Sequence, residues 1–342
     1  MMATMSATRL RLLAATATGS LLLAACGSAT AGAPGAAAPR AAPAVAAAAA
    51  TPAPSTPCDD GKPAVASVAP GGTVAELRGD ATKKLLQGSR LVVGTSADVV
   101  LWGARDPLDG KLKGFDIQLA QRIAKDLLGN PNAIEFRVIN YKQRLPALST
   151  EVLEGQQESR PVDLVLHTMT INCARWQQVS FSAEYYHAGQ KVLVRADDPA
   201  YRAKKEDMQI TDLPEGSEIC VPAGSTNVEL LKSEYGRYKP VEVPEIGECL
   251  VKFQRGEVPA ITGDDTVLAG FAAQDRYARV VGRALSDEPY GIGVHKTDTA
   301  LLRFVNAVLE EMRRDGSWNA IYASTMGRYQ PAVPQPAAVY GR

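Results

Sequence analysis

The chain has no excess of charge of either sign and very little histidine. Lys plus Arg and Asp plus Glu each number 37 among its 342 residues, and there are 3 histidines. Without a basic excess or a block of like charge, the sequence offers no surface for nucleic acid or for a strongly charged partner. It also lacks Gly-x-Ser-x-Gly, a phosphate-binding loop, Cys-x-x-Cys and a metal triad, so no metal, cofactor or catalytic centre is expected.

Long hydrophobic runs are also missing, apart from one near the N-terminus. The run from Leu12 to Ala25 follows two arginines and is shorter than the ~20 residues that span a bilayer. A charged start, a short apolar core and a small-residue end are typical of a secretory signal, here residues 1–25. Cys26 follows Leu-Ala-Ala and resembles the lipobox cysteine of bacterial lipoproteins, which implies a lipid anchor at the outer face of the cell membrane. The alternative is a buried N-terminal helix with an incidental cysteine.

Residues 26–57 contain little besides Ala, Pro, Gly, Ser and Thr. This composition has too little apolar bulk to offset the entropy of ordering, so the segment is predicted to be a disordered tether. From Cys58 onward the composition is that of a globular protein. The remaining length of about 285 residues exceeds what one core usually supports, which predicts two lobes.

Four cysteines remain after Cys26, and an even number in an exported protein indicates disulfides. They are Cys58, Cys173, Cys220 and Cys249. Cys220 lies in a predicted strand and Cys249 in a nearby predicted helix, which favours a local Cys220–Cys249 bridge. That bridge would leave Cys58 to pair with Cys173. The other two pairings stay open at this point.

Strand and helix patterns alternate in two successive runs, over residues 91–166 and 219–281. The alternation predicts the α/β class, with largely parallel sheets covered by helices. Lys191–Arg195 is predicted as a further strand of the first run. Pro289–Val294 is predicted as a crossing strand before the amphipathic helix Thr299–Asp315. Residues 150–160 are predicted to form a surface loop, and residues 330–342 a flexible tail.

A family resemblance rests on three stretches of sequence. They are Leu91-Val92-Val93-Gly94, Gly114-Phe115-Asp116-Ile117, and the segment from Asp163-Leu164-Val165 through Arg175 to Gly189-Gln190. They resemble the family-3 periplasmic solute-binding proteins, and most of all the glutamine/glutamate-binding lipoproteins of high-GC Gram-positive bacteria. The resemblance implies a type II periplasmic-binding-protein-like fold with two α/β lobes joined by two hinge strands. Lobe 1 is expected at 58–194 plus 290–329, and lobe 2 at 195–289.

The function implied by the resemblance is that of a monomeric receptor, not an enzyme. It would bind a polar amino acid between closing lobes and deliver it to an ABC permease. The ligand would be glutamate or aspartate, or else glutamine or asparagine. Two alternatives stay open: a sensor that reports amino acids to a signalling partner in the membrane, and a dehydratase-like enzyme on the same fold.

A free amino acid carries both charges, so its site needs a cation and an anion that would otherwise be costly to bury. Ten contact residues are expected: Arg175, Thr168, Thr170, Ser225, Thr226, Asp264, Arg144, His167, Tyr141 and Trp102. The resemblance implies the roles of Arg175, Thr168, Thr170, Asp264 and Arg144, and the chemistry of the residues themselves suggests the other five. Among them, Arg175 would clamp the α-carboxylate with the threonine hydroxyls and the helix start at Ser225-Thr226. Asp264, or Asp265 beside it, would hold the ammonium.

The side-chain end of the ligand is less constrained by the sequence. Arg144 would hold a second carboxylate and favour glutamate or aspartate, His167 would add a donor, and Tyr141 and Trp102 would form apolar walls. Each also has a purely structural alternative. Arg144 would then be a solvated helix residue, His167 a hydrogen-bonded strand histidine, and the two aromatic residues ordinary members of the core.

Overall fold

The computed structural model describes residues 57–149 and 161–342. The predicted signal, Cys26, the tether up to residue 56 and the predicted loop at 150–160 lie outside the described residues. The strands are β1 (Leu91–Thr95), β2 (Asp98–Val99), β3 (Gly103–Arg105), β4 (Leu112–Lys113), β5 (Ile134–Val138), β6 (Leu164–Val165), β7 (Ser180–Phe181), β8 (Tyr186–Arg195), β9 (Glu218–Pro222), β10 (Lys239–Val243), β11 (Ala260–Asp264), β12 (Ala278–Val281), β13 (Asp287–Tyr290) and β14 (Gly293–Val294). The helices are α1 (Val74–Thr82), α2 (Phe115–Leu128), α3 (Cys173–Trp176), α4 (Pro199–Lys204), α5 (Thr226–Glu234), α6 (Gly247–Gln254), α7 (Asp265–Gln274), α8 (Thr299–Asp315) and α9 (Ser317–Thr325).

Lobe 1 is built on a five-stranded sheet with the order β5-β1-β6-β14-β7. β1 pairs in parallel with β5 and β6, while β14 runs antiparallel to β6 and β7. All five residues of β1 are buried, which explains why its sequence reads as an unbroken apolar run and not as an alternation. A small hairpin sheet of β2, β3 and β4 follows β1.

Helix α2 begins and ends at glycines that the backbone requires. Gly114 has φ 135°, and a Cβ there would lie 2.2 Å from the Trp102 carbonyl oxygen, so no larger residue fits. Gly129 ends the helix in the left-handed conformation. The apolar face predicted from the periodicity is buried, with Phe115, Leu119, Ile123 and Leu127.

Lobe 2 is built on the sheet β10-β9-β11-β8-β12. β9, β10 and β11 are parallel, and β8 runs antiparallel between β11 and β12. The expectation that Lys191–Arg195 belongs to lobe 1 is therefore wrong, because these residues pair with β11 and β12. Val192, Leu193 and Val194 are buried in the centre of that sheet. An apolar strand pattern predicts that the strand is buried, but it does not show to which sheet the strand belongs.

The two lobes are connected by the antiparallel pair that β13 forms with the first four residues of β8, Tyr186–Gly189. A bridge between Thr170 and Tyr290 attaches the end of β13 to lobe 1. The chain therefore passes between the lobes near residue 190, earlier than the boundary expected at 194/195.

The C-terminal tail at 330–342, expected from the sequence to be flexible, packs against lobe 1. Gln335 Nε2 donates to the Leu309 carbonyl at 3.0 Å, and Tyr340 forms a bridge with Ser67. The Arg342 guanidinium lies 4.4 Å from the centre of the Trp176 ring. The tail is held by backbone hydrogen bonds and a cation–π contact, which an absence of apolar periodicity cannot reveal.

The structure pairs the four cysteines as Cys58–Cys173 and Cys220–Cys249, the arrangement favoured above. Within the part of the chain that is described, no helix is long and apolar enough to cross a membrane.

Candidate functional site

The two lobes meet along a cleft lined by the residues that follow β6 and by the turn that precedes α5. Arg144 of lobe 1 donates to the Gly224 carbonyl of lobe 2 at 3.3 Å. Gly224 has φ 79°, and a Cβ there would lie 2.7 Å from Lys142 Cγ, so the close approach of the lobes requires glycine at this position. The hydroxyls of Thr170 and Thr226 lie 3.4 Å apart across the cleft.

Arg175 is a buried cation at this cleft. It lies in the one-turn helix α3, whose N-cap is Asn172. Its guanidinium donates to the Thr170 carbonyl at 2.7 Å, and within residues 57–149 and 161–342 it forms no ion pair. Burial lowers the pKa of Arg175 to about 9, and the neighbouring Arg144 adds to this effect. A buried guanidinium without an acid partner is costly, so this position is prepared for an anion.

Arg144 is a second buried cation on the same side of the cleft. It follows the 3₁₀ helix Tyr141–Gln143, and its guanidinium lies 4.5 Å from the centre of the Tyr141 ring. It donates at 3.2–3.3 Å to the carbonyls of Tyr141, His167, Thr168 and Gly224. Burial lowers its pKa, against the opposing effect of acids that include Asp264.

A cavity of about 270 Å³ joins the two guanidinium groups. Residues from both lobes line it, among them Tyr141, Arg144, Arg175, Gly224 and Glu229. A larger recess of about 1010 Å³ lies between the hairpin sheet and α9, but none of the ten expected contact residues lines it. The smaller cavity is the better candidate because charged groups converge on it.

Asp264 supplies the opposite charge. It is the last residue of β11 and is buried, and it accepts hydrogen bonds from Asn227 Nδ2 at 2.8 Å and from the Tyr290 hydroxyl at 2.5 Å. Burial, together with the nearby carboxylate of Glu288, raises its pKa to about 7. Asp265, the alternative, points elsewhere, because its carboxylate accepts from the Gly189 backbone.

Glu288 is a buried residue of this site that the sequence reasoning missed. Its Oε2 accepts from the hydroxyls of Thr170 at 2.6 Å and Thr226 at 2.7 Å, and its Oε1 accepts from Ser286 at 2.6 Å. The crossing strand was expected to begin at Pro289, so the acid before it was read as lying outside the structured pattern. A carboxylate inside an otherwise buried strand is the signal that could have identified it.

The structure places the remaining hydroxyl residues in two kinds of role. Ser225 is the N-cap of α5: its hydroxyl accepts from Val228 and donates to the Pro222 carbonyl. Of the two residues expected at this helix start, Ser225 is the cap and Thr226 is the first helical residue. Thr168 has φ 42°, and its backbone N–H donates to Asp116 Oδ2 at 3.1 Å. This left-handed conformation breaks the extended backbone after β6, so Thr168 and Thr170 do not follow the alternation of one continuous strand.

His167 and Tyr141 pack against each other, and Trp102 lies apart from the cavity. Burial lowers the pKa of His167 to about 3, so the ring is neutral, and its Nε2 lies 3.0 Å from the Ile139 carbonyl. Trp102 is fully buried in an aromatic cluster, and its indole N–H donates to Thr266 at 2.9 Å. It therefore connects lobe 1 to lobe 2 and does not form the expected wall of the cavity.

These features define a class: a two-lobed α/β protein whose buried cleft carries anions and, within the described residues, cations that form no ion pair. Within that class, the chain belongs to the bacterial extracellular solute-binding proteins, family 3, whose model matches residues 91–328. The family resemblance seen in the sequence is thereby confirmed. The family and the relatives that the chain matches are binding proteins, so the enzyme alternative has no support from them.

Three comparisons illustrate the similarity. The ABC transporter glutamine-binding protein GlnH of Bacillus subtilis is 30% identical over 247 residues, covering 72% of this chain and 85% of the relative. The glutamate-binding protein GluB of Corynebacterium efficiens is 28% identical, with 75% and 85% covered. The solved structure of an ancestral arginine-binding protein bound to glutamine is 33% identical with a TM-score of 0.60, covering 70% of this chain and 98% of that one.

Proposed function

We propose that the protein captures a free amino acid with an acidic side chain, L-glutamate or L-aspartate, in the cleft between its lobes. The observation that carries the proposal is the pair of buried guanidinium groups, Arg175 and Arg144, which share one cavity and have no acid partner among the described residues. An acidic amino acid supplies two carboxylates to these two cations and one ammonium to Asp264.

Each end of such a ligand has a partner of suitable chemistry. The planar guanidinium of Arg175 can hold the α-carboxylate through two parallel hydrogen bonds, and the free N–H groups at the start of α5 add positive potential. Arg144 already donates to four carbonyls, but at 3.2–3.3 Å these bonds are long and leave room for competition by a carboxylate. With all charges paired, a micromolar Kd, about 8 kcal/mol, is the expected scale.

Ligand binding would favour the closed arrangement of the lobes, because the contact residues come from both of them. Asp98 of lobe 1 accepts from the backbone N–H of Gly247, at the start of α6 in lobe 2, at 2.7 Å. Together with the contact from Trp102 to Thr266, this bond joins the lobes outside the ligand cavity.

A neutral ligand, glutamine or asparagine, is the second candidate. Relatives of both kinds exist, with one named as glutamine-binding and another as glutamate-binding. Because Arg144 is partly satisfied by carbonyl groups, a side-chain amide oxygen could also accept from it.

We further propose that the chain acts outside the cytoplasm as a monomer, anchored through Cys26 and delivering its ligand to an ABC permease. Support comes from the signal-like first 25 residues and from a relative named as part of an ABC transporter. A sensor that reports to a signalling partner would use the same cleft. Uptake of labelled glutamate by cells that lack this protein separates the two, since only a transport receptor is required for uptake.

The direct test is titration calorimetry of the purified Cys26→Ser protein, which cannot be lipidated, against the twenty amino acids. We expect glutamate or aspartate to bind most tightly. Tighter binding of glutamine or asparagine would transfer the assignment to the amides, and absence of binding by all twenty would refute the receptor function.

A further inference from the structure

Glu288 lies where the two lobes and the connecting strands come together. Its carboxylate is buried, and its three hydrogen-bond donors come from three different places: Thr170 in lobe 1, Thr226 in lobe 2, and Ser286 just before β13. Two of these donors, Thr170 and Thr226, are among the residues expected above to contact the ligand. Glu288 therefore contacts residues of both lobes that are expected to hold the ligand.

Among the described residues, no cation is paired directly with Glu288, although the guanidinium groups of Arg144 and Arg175 are near enough to interact with it through space. In the described ranges, no Lys, Arg or His forms an ion pair with Glu288 or with Asp264, and all donors to both carboxylates are neutral hydroxyl or amide groups. The two acids are close enough for the charge of Glu288 to raise the pKa of Asp264. Two neighbouring buried carboxylates that have no directly paired cation repel one another and are costly to desolvate.

An ammonium group resolves this arrangement, because it carries one positive charge and three donors that two carboxylates can share. We propose that Glu288 is a second carboxylate for the ligand's α-ammonium, acting with Asp264, and that it makes the site selective for compounds that carry a free amine. This inference rests on the function proposed above. It names a determinant that rejects dicarboxylates without an amine, since such ligands would leave both acids unpaired.

A purely structural role is the competing explanation. Glu288 links a hydroxyl of lobe 1 to a hydroxyl of lobe 2, so it could serve only to hold the lobes together. That role depends on hydrogen-bond acceptance and not on charge, and it is indifferent to whether the ligand carries an amine.

The test compares Glu288→Gln with the wild type, using L-glutamate and glutarate, which is glutamate without its amino group. Glutamine keeps the size of the side chain and an oxygen that accepts from the threonines, but it loses the charge. The matched control is Asp287→Asn in the same strand, where the carboxylate is largely exposed. Kd is measured by calorimetry, and the ligand-free melting temperature is recorded for each variant.

We expect Glu288→Gln to raise the Kd for glutamate about 10- to 100-fold, the scale of a lost hydrogen bond to a charged group. Glutarate should bind the variant as well as, or better than, the wild type, and Asp287→Asn should leave both ligands unchanged. The ligand-free melting temperature should not fall, because glutamine keeps an acceptor oxygen for the two threonines and the removed charge forms no ion pair with a described residue.

Two results would overturn the inference: a glutamate Kd for Glu288→Gln within about fivefold of wild type, or equal losses for glutamate and glutarate. Should glutarate bind neither protein, the glutamate criterion alone decides, provided that the ligand-free melting temperature is unchanged; a lowered one favours the structural role. Failure of the wild type to bind any amino acid is a separate outcome that refutes the proposed function itself.

Discussion

Replacement of Arg175 by alanine tests the proposed function most directly. Arg175 is 6% exposed, and its guanidinium makes one described hydrogen bond, to the Thr170 carbonyl. It forms no ion pair with a described residue, so its removal from the ligand-free protein should cost little stability. In the complex, its removal would leave the ligand's α-carboxylate buried and unpaired. The variant should therefore fold normally and fail to bind.

The size of the effect follows from the cost of leaving one member of a buried ion pair alone. That cost is about 3–5 kcal/mol, and since about 1.4 kcal/mol corresponds to a tenfold change, Kd should rise roughly 100- to 4,000-fold. Glutamate at 1,000 times the wild-type Kd raises the free energy of unfolding by about 4.1 kcal/mol. A variant with a 1,000-fold weaker Kd gains only about 0.4 kcal/mol at the same concentration.

Thermal unfolding with and without glutamate measures both parts of this prediction. The matched control is Arg105→Ala, because Arg105 lies on the exposed hairpin of lobe 1, where it donates to the Gly110 carbonyl. We expect the control to keep the full ligand-induced shift. A wild-type shift in Arg175→Ala would show that this residue does not hold the carboxylate. A large loss of ligand-free stability would instead assign it a structural role.

Three further predictions concern selectivity, pH and the lobe 2 disulfide. Arg144→Gln should weaken the binding of glutamate at least tenfold more than the binding of glutamine, the scale of one charge-assisted hydrogen bond of about 1.5–3 kcal/mol. Equal losses of affinity for the two ligands in calorimetry would contradict an acidic ligand. The pKa of Asp264 is raised to about 7, so below that pH the empty site holds a proton that the ammonium must expel. Affinity should therefore fall by up to about tenfold per pH unit below that value, and a Kd independent of pH would refute this. The raised pKa of Asp264 also affects folding, because the folded protein holds this proton more tightly than the unfolded chain does. The resulting stabilisation is present at acid pH and is lost as pH rises through about 7, so the free energy of unfolding of the ligand-free protein should fall over that rise. The double variant Cys220→Ser, Cys249→Ser opens a loop whose ends are separated by 29 positions, and the free energy of unfolding should fall by about 3–4 kcal/mol. The Kd should not change at temperatures where the variant is folded. An unchanged denaturation midpoint would contradict the loop-entropy argument.

The sequence alone was most informative where neighbouring residues decide the structure. The apolar period of α2 and of α8 marked both helices, and glycine positions marked the ends of α2. The alternation of strands and helices identified the α/β class, and short motifs identified the family. These features depend on residues a few positions apart, whose preferences act before any tertiary contact forms.

The sequence was less informative wherever distant segments meet. β8 reads as a buried strand, but only its pairing with β11 and β12 assigns Lys191–Arg195 to lobe 2. Residues 330–342 have no apolar period, yet hydrogen bonds to Ser67 and Leu309 hold them on lobe 1. Trp102 was a reasonable wall for a pocket, but it packs among other aromatic rings and contacts Thr266.

The charges of the cleft show the same division between local and tertiary information. By itself, the sequence determined the family, the alternation of elements, and Arg175 and Asp264 as the residues to examine. Only the tertiary structure decided that Arg144 and Arg175 share a cavity and that Glu288 lies between Thr170 and Thr226. The reason is that burial and opposing charge act through space. Thr170 and Glu288 are separated by 118 positions, and no local pattern records that they meet.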